Sequence, residues 1–298
     1  VWIYPKKPSG PLYRARTIVS IFLLAVLIIT PFLKMNGKPL ILLNFLERKF
    51  ILFGVGFWPQ DFHLFVIATI TLIVFIVLFT VIFGRLFCGW ICPQTIFLEM
   101  VFRKIEFWLE GSPAKQKALN AQKMNFIKFM KKGSKHVIFY GISFFIGNIF
   151  LSYIIGMDQL LKIISEPPSE HWVGLTAMIL FSGAFYFNFT FFREQACVLV
   201  CPYGRFQSVL LDTKTIVVAY DFKRGEPRGK LVKKVIASGN GDCVDCKQCI
   251  QVCPTGIDIR NGTQLECVNC TACIDACNNM MGKIDKPNGL IRYASHAG

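Results

Sequence analysis

Long apolar blocks alternate with short polar ones along the first two-thirds of this chain, and the last third breaks the rhythm. Residues 17–33, 62–83, 136–156 and 172–192 are almost free of charge. At about 1.5 Å rise per residue, the block 62–83 makes roughly 33 Å of helix, enough to cross a bilayer core. The first block is shorter and crosses with some thinning. Residues 1–16 are polar, and Pro5, Pro8 and Pro11 resist helix. Between the first two blocks, Asn36-Gly37 is a turn signal, Glu47-Arg48-Lys49 interrupts two apolar runs, and Trp58 is an anchor. That stretch predicts a hairpin or short helix at the far interface, because a buried span would have to hide three charges. Residues 94–110 set Phe97, Val101, Ile105 and Trp108 against Glu99, Arg103, Lys104 and Glu106. The pattern predicts an amphipathic helix lying at the interface. Residues 115–135 form a basic loop, and Gly141 and Gly147 mark close helix packing in the third span. His63, His136 and His171 flank spans and are read as interfacial.

Composition agrees with a membrane protein. The 298 residues are 53% hydrophobic and carry a formal net charge of +15, with a mean hydropathy of +0.48. A basic balance can mean nucleic acid, but these charges flank apolar blocks, so no nucleic-acid partner is expected. The N-terminal tail has four Lys and Arg and the 84–135 segment has ten, against four and one in the two opposite loops. The positive-inside rule puts the N-terminus in the cytoplasm, and four spans bring the C-terminal third back to that side. Val1 in place of Met predicts a clipped start, and no cleavable signal pattern follows it.

Twelve cysteines change the picture from anchor to redox protein. Cys243-x2-Cys246-x2-Cys249-x3-Cys253-Pro254 is followed by Cys267-x2-Cys270-x2-Cys273-x3-Cys277. This is the bacterial two-cluster ferredoxin run, in which each fourth Cys ligates the other cluster. Cys243, Cys246, Cys249 and Cys277 are assigned to one [4Fe-4S] cluster, and Cys253, Cys267, Cys270 and Cys273 to the other. Zinc binds C-x2-C pairs too, but has no use for the third Cys at this spacing. Asn278 stands where the first run has Pro254, which predicts a looser second turn. Cluster-forming thiolates need a reducing compartment, so the cysteines also point to the cytoplasm.

A second constellation repeats. Cys88-x3-Cys92-Pro93 ends the second span and Cys197-x3-Cys201-Pro202 ends the fourth. Cys at i and i+4 share a helix face, and Pro suits the first turn of a new helix. Each pair is therefore expected at a break between a span and an interfacial helix. Both spans run the same way, so the four thiols can converge. Soft thiolates select Cu(I), zinc or an iron–sulfur cluster. Two matching Cys-Pro pairs argue against cysteines that merely fill a core. There is no P-loop, no dinucleotide fingerprint and no C-x-x-C-H haem site.

Four spans, two Cys-x3-Cys-Pro repeats and a C-terminal double ferredoxin run resemble the NapH and CcoG polyferredoxin group. Trp2-Ile-Tyr-Pro5, Gly84-Arg85 before Cys88-Gly-Trp-Ile-Cys-Pro-Gln94, Cys201-Pro-Tyr-Gly-Arg-Phe-Gln207 and Arg224-Gly-Glu-Pro-Arg-Gly229 look like the CcoG (FixG/RdxA) cytochrome c oxidase accessory proteins. The resemblance implies a bacterial inner-membrane protein that reduces Cu(II) to Cu(I) for assembly of cbb3-type cytochrome oxidase. It implies copper at Cys88, Cys92, Cys197 and Cys201 as the catalytic metal site, a cytoplasmic electron donor, and oxidase assembly factors as partners. It also implies a fifth span and a periplasmic domain, both of which would follow Gly298. A NapH-type quinol dehydrogenase subunit is the alternative, with a third cluster or a quinone in place of copper. A copper-binding scaffold that does not reduce is another.

The expected fold is mostly α: a polytopic four-helix membrane domain with interfacial helices over 1–211, a basic linker or ordered arm over 212–242, and a small cytoplasmic α+β two-[4Fe-4S] ferredoxin domain over 243–298.

Overall fold

The four apolar blocks form helices long and apolar enough to cross a membrane. The structure is a computed structural model and describes residues 2–35, 37–44, 49–57, 62–167, 172–229 and 241–295. Asn36, Glu47, Arg48, Trp58, Asp61 and His171 lie outside the described residues.

The chain opens with helix α1 (Pro11–Ile29) and a short tight turn at Thr30–Phe32. Strands β1 (Lys34–Met35) and β2 (Lys38–Pro39) pair antiparallel. Strands β3 (Ile41–Asn44), β4 (Lys49–Leu52) and β5 (Val55–Phe57) make an antiparallel three-stranded sheet. Helices α2 (Phe62–Phe83), α3 (Leu86–Trp90) and α4 (Pro93–Ile96) follow. A π-helical stretch at Phe97–Phe102 leads into α5 (Arg103–Leu109), α6 (Pro113–Ala121) and α7 (Phe126–Ile155). Then come α8 (Met157–Ser165), α9 (Trp172–Phe187), two π-helical turns and α10 (Pro202–Leu210). The last third holds β6 (Val217–Tyr220), α11 (Phe222–Gly225), α12 (Gln248–Gln251), α13 (Ala272–Lys283) and β7 (Ile291–Ala294).

By packing the chain forms two units. One comprises Ile21–Phe75 and Phe126–Arg193. In it α7 packs along α9. Gly147 makes the close approach: a Cβ there would meet Ser182 Oγ at 3.0 Å, whereas Gly141 faces open space and plays no such part. Lys34 pairs with Asp158 at 2.8 Å, and the Tyr186 hydroxyl lies 2.8 Å from His136 Nδ1.

The other unit joins Val1–Ser20, Ile76–Asn125 and Glu194–Gly298, so packing divides the chain differently from sequence order. Its core gathers Val218, Tyr220, Ile259, Ile274, Met281, Leu290 and Ile291. The sheet pairs Val217 with Ala294 and Tyr220 with Ile291. The arm over 212–242 thus supplies β6, a strand of the ferredoxin fold itself. Helix α13 runs on through Asn278 rather than loosening there, and the Asn278 carboxamide oxygen accepts the Gly289 N–H at 3.0 Å.

Three other expectations are corrected here. Pro11 does not resist helix but begins one, because its missing N–H costs nothing at the first helical position. Residues 97–109 do not turn their charges to water: Glu99, Arg103 and Glu106 are all buried. Arg103 pairs with Glu99 and, at 3.3 Å, with Glu194, and donates to the Pro254 carbonyl at 3.4 Å. Charges satisfied this way survive burial, and helical periodicity cannot tell an inward polar stripe from an outward one. Residues 115–135, expected as a loop, are mostly α6 and the first turns of α7.

The start of α1 is capped from a distance. The Asp275 carboxylate accepts the backbone N–H groups of Leu12 (3.3 Å) and Tyr13 (2.8 Å), two donors a helix start leaves unpaired. A Cβ on Gly10 would stand 2.2 Å from Asp275 Cγ. Gly10→Ala and Asp275→Ala are therefore each expected to lower the unfolding temperature of the detergent-solubilised protein and to expose the tail before Pro11 to protease. The loss of the cap is worth about 0.5–2 kcal/mol. Wild-type protection of the tail in both variants would show that the cap is not made.

Candidate functional site

The two Cys-x3-Cys-Pro motifs adopt one backbone form. Cys92 N–H reaches back five residues to the Phe87 carbonyl at 2.9 Å, and Cys201 N–H reaches back five to the Ala196 carbonyl at 2.8 Å. Each of these cysteines then stands as the residue before a helix, at φ −57°, ψ 123° and φ −68°, ψ 112°, with Pro at the first helical position. Helix-interior geometry is lost at the second Cys because its Pro cannot donate to the preceding turn. The wide turn, a feature common at functional sites, presents Cys88 and Cys197 one turn earlier.

All four cysteines belong to the same unit. Cys88 is buried, and its thiol donates to Gln207 Oε1 at 3.1 Å. Burial pushes the Cys88 thiol up to about 11, against the pull of Arg85, while Cys92 and Cys201 add to the rise. Burial likewise pushes Cys197 to about 12, with Cys92, Cys88 and Cys201 raising it further. The four thiols are thus within electrostatic reach of one another. Among the described residues no three Cys, His, Asp or Glu side chains close on a single ion, the eight ferredoxin cysteines included.

Those eight cysteines line two cavities. The outer one has about 340 Å³ of atom-free space, walled by Cys243, Cys246, Cys249 and Cys277 with Tyr220, Arg260 and Met281. The inner one, about 350 Å³, is walled by Cys253, Cys267, Cys270 and Cys273 with Val218, Ile257 and Ile259, and Cys249 borders it too. Cys246 is exposed, which puts the outer cavity next to solvent. Each run bends around its middle cysteine through two left-handed residues, Asp245 and Lys247 in one, Asn269 and Thr271 in the other. Non-glycine residues hold that conformation only where surroundings fix it, often at functional sites. Burial raises Cys270 to about 11 and Cys267 to about 12, and the backbone N–H groups of Ala272 and Asn269 oppose the rise. Four soft donors per apolar cavity, with amide N–H groups turned to the sulfurs, fit a [4Fe-4S] cluster in each.

The motif and the inner cavity touch. Gly89 lies against the loop between Cys267 and Cys270: a Cβ would meet the Val268 carbonyl oxygen at 2.4 Å. Cys88 shares an apolar cluster with Val252, Val268, Cys270, Ala272 and Ala276. Arg85 donates to the Leu265 carbonyl, and a Cβ on Gly204 would come within 3.0 Å of its Nη2. Arg16 Nε donates to the Gly89 carbonyl at 2.7 Å. Arg16 entered the sequence reading only as a charge flanking a span, whereas Arg85, Gly89 and Gln207 lay in stretches that carried the resemblance but had no role assigned to them.

Comparison with known proteins agrees with this layout. Residues 192–296 match a family described as "4Fe-4S dicluster domain", and residues 65–111 match one described as "4Fe-4S binding domain". The chain is similar to Nitrogen fixation protein FixG of Rhizobium meliloti, 34% identical over 98% of this chain and 57% of that protein. Proteins RdxA and RdxB of Cereibacter sphaeroides are each 36% identical over 98% of the chain and 62% of their own length. The chain therefore spans about three-fifths of the length of these relatives. No solved structure matches it.

Gly89→Val drives a side chain into the Cys267–Cys270 loop, so about four of roughly eight irons per chain should be lost. Gly282→Val, where a Cβ meets nothing within 4 Å, is the control and should keep them all. Iron and acid-labile sulfide assays on anaerobically purified protein read the difference.

Proposed function

We propose that this chain, which belongs to the FixG/RdxA family of membrane-associated 4Fe-4S electron-transfer proteins, is a cupric reductase. The clusters, when bound, supply one-electron carriage between the solvent-facing and motif-facing sides of the unit. Cys243, Cys246, Cys249 and Cys277 hold one, and Cys253, Cys267, Cys270 and Cys273 the other. Copper is the substrate: Cu(II) gathered by Cys88, Cys92, Cys197 and Cys201 takes up one electron and becomes Cu(I). Thiolates bind Cu(I) better than Cu(II), so the same four side chains favour the product. The electron comes from a reduced one-electron carrier in the cytoplasm. The product serves assembly of a cbb3-type cytochrome oxidase. The protein sits in the bacterial inner membrane with its N-terminus and clusters cytoplasmic, as the distribution of Lys and Arg favours.

The observation that carries this reading is the contact of Gly89 with the Cys267–Cys270 loop, which leaves no intervening layer between motif and inner cavity. A second reading rests on two different observations. Among the described residues neither the four motif thiols nor the ferredoxin cysteines close on a single ion. The family matching residues 65–111 is itself described as 4Fe-4S binding. A third cluster there would make the chain a relay of NapH type, passing electrons from quinol to a partner.

Metal analysis separates the two. The reductase reading expects about eight irons per chain, with stoichiometric copper and Cu(II) reduction that both vanish in Cys88→Ala and Cys201→Ala while cluster absorbance stays. Twelve irons and no copper overturn it in favour of the relay. Copper that still binds stoichiometrically to both variants removes the four-thiol site.

A further inference from the structure

The two cavities differ in the charge around them. Arg260 lines the outer cavity, but its charge is already answered. It pairs with Asp258 at 2.8 Å and with Asp245 at 2.6 Å, and it holds both carboxyls below the usual carboxylate range. Beside the inner cavity stand two guanidinium groups of another kind. Arg16 is 1% exposed and Arg85 is 4% exposed. Arg16 makes one hydrogen bond, to the Gly89 carbonyl, and its Nη1 and Nη2 are buried with no acceptor. Arg85 donates to the Leu265 carbonyl, and its Nε is buried with no acceptor. Neither has a carboxylate partner among the described residues. Leu265 and Gly89 both adjoin the Cys267–Cys270 loop, so both charges bear on that loop.

An unpartnered buried charge is costly, and structures keep one where an opposite charge arrives. In a low-dielectric interior its field is weakly screened. Arg16 is held on the Gly89 carbonyl, against the Cys267–Cys270 loop, and Arg85 on the Leu265 carbonyl, so each acts on the inner side.

We propose that Arg16 and Arg85 are redox-positioning residues that favour the added negative charge of a reduced cluster in the inner cavity, which makes that cavity the higher-potential of the two. The Arg260 trio, one guanidinium against two ionised carboxylates, carries a net charge of −1 and leaves the outer cavity at the lower potential. One electron that enters at the solvent side, near exposed Cys246, then runs downhill toward Gly89 and the motif: the outer site is oxidised by one electron and the inner site reduced by the same one. This rests on the two-cluster reading and is independent of copper.

The test is a potentiometric titration of the full chain in detergent, followed by EPR of the reduced clusters, with iron assayed on every sample. Wild type should show two midpoint potentials. Arg16→Gln and Arg85→Gln should each lower the higher one and leave the lower one in place, and Arg16→Lys should restore it. Asp258→Asn, which removes one of the two carboxylates on Arg260, should raise the lower one. Unmoved potentials in the glutamine variants, or a fall in the lower potential only, overturn the proposal. So does loss of iron in both Arg16→Gln and Arg16→Lys, which would make Arg16 structural. Fewer than about eight irons in wild type would instead sink the two-cluster reading beneath it.

Discussion

Burial opposes charge at seven cysteines of this chain. Cys88, Cys197, Cys249, Cys267, Cys270, Cys273 and Cys277 all have thiol pKa values raised first of all by desolvation, yet metal and cluster ligation needs thiolates. The rest of the site answers that conflict. Left-handed residues on both sides of Cys246 and Cys270 turn the chain around its sulfurs. Backbone N–H groups of Asn269, Ala272 and Ile291 oppose the rise at Cys267, Cys270 and Cys277. Arg85 opposes it at Cys88 and Cys197. A bound metal completes the compensation, so the native fold of this unit and its loading with metal are coupled.

That coupling explains why segments far apart in sequence build one unit. Arg16 belongs to α1 and Arg85 follows α2 directly. The helix ends are therefore parts of the redox site as well as anchors. The N-terminal tail is stitched to the ferredoxin region by the Lys6 N–H on the Gln251 carbonyl at 2.6 Å and by Asp275 on Leu12 and Tyr13. A Gly at position 10 and another at 89 let backbone approach side chain or backbone without a Cβ in between.

What the sequence disclosed follows the range of each interaction. The cluster cysteines stand out in the sequence because their ligand spacing is local, and cysteines of both runs line the two cavities. A second apolar helix was legible, since a lipid-facing helix such as α2 is apolar on every side. The first and third helices were read short, because an apolar window ends at the bilayer while helical hydrogen bonding continues into water. The inward stripe of Glu99, Arg103 and Glu106 was illegible, because its partners Glu194 and Pro254 are distant in the chain. The cap on α1 was hidden for the same reason, with its acceptor some 260 residues away.

The ferredoxin region is consequently not a module that sequence order can cut out. Strand β7 pairs with β6, which precedes the first cluster cysteine, and Thr215 next to β6 donates to the Val81 carbonyl of α2 at 2.8 Å. Tyr203 of α10 packs on the Cys88–Cys270 cluster. Removing residues 1–211 would strip the inner cavity of Gly89, of the Arg103 donor to Pro254, and of both buried guanidinium groups, while the outer cavity would keep Arg260 and its two carboxylates. The asymmetry between the cavities is thus built by residues that precede both cluster runs in the chain, Arg16 and Arg85 above all.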